Sequence, residues 1–149
     1  MTQIRIEATD LPGRTFGPGD DHPVHSGVHV GVQRRGRPGE LLDLHPGDAP
    51  AAVWTLECTL KGRDITGPYV EGRPGGRFVY LSWGTLDERG AFAMFRRAKL
   101  MFDGIGADVL DAAVRSGLLV ARLRLTDSRG GPLCAAVRPP LITWSARAD

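Results

Sequence analysis

The fold is indicated most clearly by residues 67–84, which read GPYVEGRPGGRFVYLSWG. A turn rich in glycine and proline leads directly into residues 78–83, which are apolar on both faces apart from Ser82. Such a run is typical of a central strand in a β-sheet. The same stretch brings arginines, aromatic rings and a hydroxyl close together in sequence, so it is also the first candidate for a binding site.

Apolar and polar residues alternate on both sides of this stretch. The alternation predicts strands at residues 4–8, 28–33, 54–60, 64–66, 92–102, 118–126, 133–137 and 141–144. The glycine- and proline-rich residues 10–27 and 34–50 are predicted to be loops. The turn at 127–132 is of hairpin type, so the strands on either side of it are predicted to pair with each other.

One helix is predicted, at residues 108–116. Asp108 suits its N-terminus and Gly117 suits the position just after its end. Its apolar stripe, predicted to face the sheet, consists of Val109, Leu110, Ala113 and Val114. The fold class is therefore mainly β (α+β), with about eight short strands forming a barrel or sandwich and one covering helix near 108–116. Residues 1–149 are predicted to form a single β-rich domain.

Composition restricts the class of partner. The net charge of +2 is too small for a dedicated nucleic-acid binder, so no nucleic-acid partner is predicted. Of the 19 basic residues 17 are arginine, whose planar fork grips carboxylate or phosphate with two hydrogen bonds. No apolar run is long enough for a membrane span and no signal peptide is apparent, so a cytoplasmic protein without a membrane partner is predicted. Cys58 and Cys134 are expected to be reduced.

The arginine–aromatic cluster is the main candidate site. Pairing of residues 78–83 with 92–102 as a hairpin places Arg96 on the face opposite Arg97 and Lys99. The strand pattern predicts that Arg96 shares its face with the even-numbered apolar residues and shares a cavity with Tyr80. A buried cation needs an anion, which a bound ligand or a protein carboxylate would supply. The predicted ligand-binding residues are Arg77, Tyr80, Trp83, Arg96 and Arg97.

Other reactive residues give weaker patterns. Residues 20–25 contain two aspartates and two histidines, and His29 follows, but their spacing matches no metal motif and no metal site is predicted. Cys58 and Cys134 lie in apolar strands, where cysteine usually behaves as an inert hydrophobe. No cofactor and no catalytic residue are assigned.

The chain resembles an uncharacterised bacterial family, a domain of unknown function. The resemblance is carried by residues 29–33, 67–84, 96–99 and 131–139, and it extends over most of the chain. It implies a stand-alone domain, and it implies no activity, cofactor or catalytic residue.

The leading hypothesis is a β-rich domain that binds a small anionic or aromatic ligand through the arginine–aromatic cluster. Two alternatives stay open. One is a small β-barrel enzyme that uses the same cavity, and the other is an interaction module that forms a homodimer. A roomy interior favours the ligand or the enzyme, and a filled interior favours the interaction module.

Overall fold

The structure is a computed structural model that describes residues 2–11, 28–47, 49–125 and 136–147, with only the backbone of Phe95. Within these residues it has ten strands and one helix, in the order β1 (Thr2–Thr9), β2 (Val28–Arg34), β3 (Arg37–Pro46), β4 (Ala51–Lys61), β5 (Asp64–Thr66), β6 (Phe78–Leu86), β7 (Phe92–Met101), α1 (Ala107–Ser116), β8 (Leu118–Arg124), β9 (Ala136–Val137) and β10 (Ile142–Ser145).

Two curled five-stranded sheets enclose the core. The first has the order β10-β8-β1-β4-β5 and the second has the order β3-β2-β6-β7-β9. Alternate side chains of each sheet, such as Ile6 of β1 and Leu81 of β6, are fully buried in one shared apolar cluster. Together the sheets form a half-barrel and a sandwich-like pair, which confirms the prediction of a mainly β fold with one helix.

Strand β3 corrects the prediction that residues 34–50 form a loop. The prolines and the glycine of this segment fit a strand because β3 lies at the edge of its sheet, where missing N–H donors cost no ladder bond. β3 also approaches both β4 and β7, so its sheet curls at this end. The Trp54 indole Nε1 of β4 donates a hydrogen bond of 2.8 Å to the Asp43 carbonyl oxygen, which joins β3 to β4 where the second sheet curls toward the first.

The pairing of the C-terminal strands differs from the predicted hairpin. β8 pairs in parallel with β1 and antiparallel with β10, whereas β9 pairs in parallel with β7 in the other sheet. The described parts of 118–126 and 133–137 therefore do not pair with each other, contrary to the prediction. A turn motif reports local geometry only, and the turn at 127–132 itself lies outside the described residues.

Helix α1 confirms the predicted position and its C-terminal signal. Gly117 has a φ of 75° and its N–H donates to the Ala113 carbonyl oxygen at 2.8 Å, as a left-handed cap requires. Leu110 and Ala113 are buried, and α1 packs mainly on the first sheet, but Val114 is 56% exposed, so the prediction that Val114 faces the sheet is wrong. The contact stripe of this helix is narrower than its apolar pattern. Within the described ranges, no helix is long and apolar enough to cross a membrane.

The β6–β7 hairpin sets the faces of the candidate site. Tyr80 lies opposite Lys99 and Trp83 opposite Arg96, but a bulge then pairs Gly84 with Met94 and leaves Phe95 as the extra residue. A Cβ on Gly84 would overlap the Ala93 carbonyl oxygen, so glycine is required there. Because the bulge shifts the alternation, the even-numbered residues of 92–102 do not share one face, contrary to the prediction.

Candidate ligand-binding site

Two rings and two cations lie side by side on the β6–β7 hairpin. We call Phe78, Tyr80, Arg97 and Lys99 the cation–aromatic face. The Arg97 Cζ lies 3.9 Å from the Tyr80 ring centroid, and the Lys99 Nζ lies 4.6 Å from that of Phe78. The two rings meet edge to face, with centroids 4.9 Å apart. Each cation is attracted by the ring beneath it, so the four side chains hold one another in place.

A buried amide holds the Arg97 guanidinium from a second direction. Gln33 of β2 is 2% exposed, and its Nε2 donates to the Glu71 Oε2 at 3.1 Å. This orientation leaves the Gln33 Oε1 to accept a long hydrogen bond of 3.4 Å from the Arg97 Nη1. Glu71 is itself fixed, because its backbone exchanges two hydrogen bonds with Phe78. The guanidinium is therefore positioned by a ring and by an amide.

The charge of this face is not neutralised by a direct ion pair. Among the described residues, no carboxylate lies within 4.0 Å of the cationic nitrogens of Arg97 or Lys99, and Glu71 reaches Arg97 only through the Gln33 amide. An arginine side chain has five N–H donors, and Gln33 accepts a hydrogen bond from one of the five donors of Arg97. The half-buried guanidinium keeps donors for an added acceptor.

Arg77, predicted to belong to this cluster, lies in a different environment. Its Nε and Nη2 donate to the two carboxylate oxygens of Asp64 at 3.1 and 3.2 Å, and its Nη1 donates to the Gly72 carbonyl oxygen at 2.5 Å. The hydrogen bond from Arg77 holds the pKa of Asp64 below its ordinary value, and Asp64 raises that of Arg77. Arg77 thus ties β5 to the turn that precedes β6.

Trp83 and Arg96 also lie apart from Tyr80. Trp83 is fully buried between the sheets, and its Nε1 has no hydrogen-bond partner among the described residues. Arg96 lies opposite Trp83 in the ladder, on the face away from Arg97, and its side chain is exposed. Tyr80 and Arg96 therefore lie on opposite faces of the hairpin, because Tyr80 pairs with Lys99 whereas Arg96 pairs with Trp83, whose side chain points to the other face.

The remaining reactive residues form no further candidate site within the described ranges. Cys58 is 3% exposed, and burial raises the pKa of its thiol to about 11, which disfavours the thiolate. Cys134 and residues 20–25 lie outside the described residues. His29 lies on β2, and the described residues contain no cluster of three metal-binding side chains.

The comparison with protein families covers nearly the whole chain. A model described as "Family of unknown function (DUF5990)" matches residues 1–147. The chain belongs to this family. No curated protein and no solved structure matches it. Because DUF5990 is described without a function, membership assigns no role to any residue, and the argument for a function depends on the geometry of the cation–aromatic face.

Proposed function

We propose that the protein binds a small anionic ligand, through a carboxylate or phosphate group, on the cation–aromatic face. Arg97 is the principal contact and Lys99 the second. The observation that carries the proposal is the guanidinium of Arg97, which is held 3.9 Å from the Tyr80 ring centroid and bonded to the Gln33 amide, without a direct carboxylate partner in the described part of the chain.

Preorganisation favours an anion at this position. An arginine side chain loses much rotamer freedom when it is fixed, and here the fold has already fixed it with the ring and the amide. A ligand carboxylate or phosphate then accepts charge-assisted hydrogen bonds from a fork that needs no rearrangement. Lys99, on the same face, adds a second positive charge that solvent and salt screen in part.

The geometry supports the anionic alternative over the aromatic one. Trp83, the largest ring of the predicted cluster, is fully buried and not open to a ligand. Phe78 and Tyr80 each already have a cation over one ring face. The groups that the face offers are therefore mainly N–H donors, with the rings acting as supports for the cations.

Two neighbouring arginines provide a matched test. Arg97→Gln and Arg96→Gln remove the same charge from adjacent positions on opposite faces of β7. Binding of inorganic phosphate, benzoate and benzyl alcohol is measured by isothermal titration calorimetry at constant ionic strength. We expect phosphate and benzoate to bind, benzyl alcohol not to bind, and Arg97→Gln to raise the Kd of phosphate by about tenfold or more, since a hydrogen bond to a charged group contributes about 1.5–3 kcal/mol.

The control separates a site from general attraction. Arg96→Gln should leave the Kd of phosphate within about twofold, because Arg96 lies on the opposite face of β7 and acts on the proposed site only through screened charge. An equal loss in both variants would contradict a defined site, and equal binding of benzyl alcohol and benzoate would contradict recognition of the anion. Tight binding of a single-stranded oligonucleotide at physiological salt would replace the small ligand by a nucleic acid.

A further inference from the structure

A concave site lies beside α1. We call it the Arg63 cleft. It has a volume of about 270 Å³ and lies between the β4–β5 turn, Arg77 and the segment that joins β7 to α1. Its floor is apolar and consists of Ile65, Phe102, Ile105 and Leu110, each 9% exposed or less. The cation–aromatic face contributes no residue to its lining.

The charges around this floor are almost all paired. Asp64 is engaged by Arg77, and Asp103 receives two hydrogen bonds from the Arg138 Nε, at 3.2 and 3.0 Å. Arg63 differs from these residues, because no carboxylate of the described chain lies within 4.0 Å of its guanidinium. The cleft thus combines an apolar floor with one cation that lacks a direct ion pair at its rim.

We infer that the Arg63 cleft binds a small monocarboxylate with an apolar chain. The chain lies on the floor and the carboxylate meets the guanidinium of Arg63, whose fork matches its two oxygens. A volume of about 270 Å³ corresponds to about nine non-hydrogen atoms when each takes the volume of one liquid water molecule, about 30 Å³. Hexanoate, a six-carbon acid, has a suitable size. This site is independent of the proposed function, since it uses neither Arg97 nor Lys99.

The test is a titration followed by two-dimensional ¹H–¹⁵N NMR of the whole chain, with hexanoate, acetate and hexan-1-ol as probes. Hexanoate should shift the backbone signals of Ile65, Phe102 and Leu110 in a saturable manner. It should bind more tightly than acetate, by about fourfold for each methylene group that becomes buried. Hexan-1-ol should bind more weakly than hexanoate, because it lacks the carboxylate.

Variants at exposed positions identify the cation. Arg63→Gln should raise the Kd of hexanoate by about tenfold or more, and Arg63→Lys should restore part of the affinity because it keeps the charge. Arg89→Gln, in the exposed β6–β7 turn, removes the same charge elsewhere and should leave the Kd within about twofold. Thermal melts that match the wild type verify that these variants are folded.

Three results would overturn the inference. The first is equal affinity for hexanoate and hexan-1-ol, which would remove the role of the anion. The second is an equal loss in Arg63→Gln and Arg89→Gln. The third is a set of shifted signals that lies on the cation–aromatic face and disappears in Arg97→Gln, which would assign hexanoate to the other site.

Discussion

Replacing Leu110 with alanine tests whether α1 packs on the apolar core, which it reaches mainly beside β8, β1 and β10 of the first sheet. Leu110 is 6% exposed and belongs to the core cluster. The substitution removes three carbon groups, which contribute about 0.8 kcal/mol each when buried. The space left behind opens into the Arg63 cleft, so the additional cavity penalty is small. We expect a loss of about 2–3 kcal/mol in the free energy of unfolding.

Urea denaturation followed by circular dichroism measures this loss, and thermal melts should show a Tm lower by about 2–4 °C for each kcal/mol. Val114→Ala, on the same helix, is the matched control because Val114 is 56% exposed. It should change the free energy of unfolding by less than about 0.5 kcal/mol. A loss below about 0.5 kcal/mol in Leu110→Ala, or an equal loss in both variants, would refute the packing of α1 described above.

Three further predictions concern single side chains. Asp64→Asn should lower the Tm at neutral pH, because Arg77 loses its ion pair. The pKa of Asp64 lies below its ordinary value of 3.8, so the carboxylate stabilises the fold fully above pH 3.8. The difference in Tm between the variant and the wild type should therefore vanish as the pH falls through the lowered pKa. A difference that persists in strong acid would contradict this. Cys58 should react with a thiol reagent far more slowly in the native protein than in urea. The rate is measured in the Cys134→Ser variant, so that only Cys58 is labelled. Rapid labelling of the native protein would mean that the thiol is not buried. Gly84→Ala should destabilise the hairpin by more than about 1 kcal/mol, which urea denaturation would show, because its Cβ meets the Ala93 carbonyl; an unchanged stability would argue against the bulge.

The sequence predicts much of this fold because local patterns govern much of it. The alternation of 4–8 and 54–60 reflects sheets with one buried face, and the Gly117 signal reflects the left-handed cap of α1. Strand β3 is not predicted from the sequence, because its prolines are typical of a loop, although a strand at the edge of a sheet tolerates them. The partner of β9 depends on contacts between distant segments, which no local pattern reports.

The candidate site is predicted in part. The sequence pattern predicts Tyr80 and Arg97 as members of the cluster, and in the structure the Arg97 guanidinium lies over the Tyr80 ring. Trp83 and Arg96 fall on the other face, because 78–83 is apolar on both sides and its pattern does not tell which face meets the core. The predicted site does not include Phe78, Gln33 or Glu71, although the spacing of two residues between Phe78 and Tyr80 indicates that they share a face of the strand.

The bulge explains the remaining difference. Because Phe95 is an extra residue in β7, Met94 and Arg96 lie on opposite faces of the strand although they are two residues apart. The bulge depends on the close approach of the Ala93 carbonyl oxygen to Gly84, which has no Cβ. A glycine within a predicted strand can mark a bulge, but the bulge can be located only when the partner strand and its register are known.

The most direct measurement is the NMR signal of the Arg97 Nε–H group during a titration with inorganic phosphate. A saturable shift of this signal, with the Arg77 Nε–H signal unmoved because Asp64 already occupies it, is the result we predict. An unmoved Arg97 signal, or equal shifts at Arg77, Arg96 and Arg97, would contradict an anion site on the cation–aromatic face.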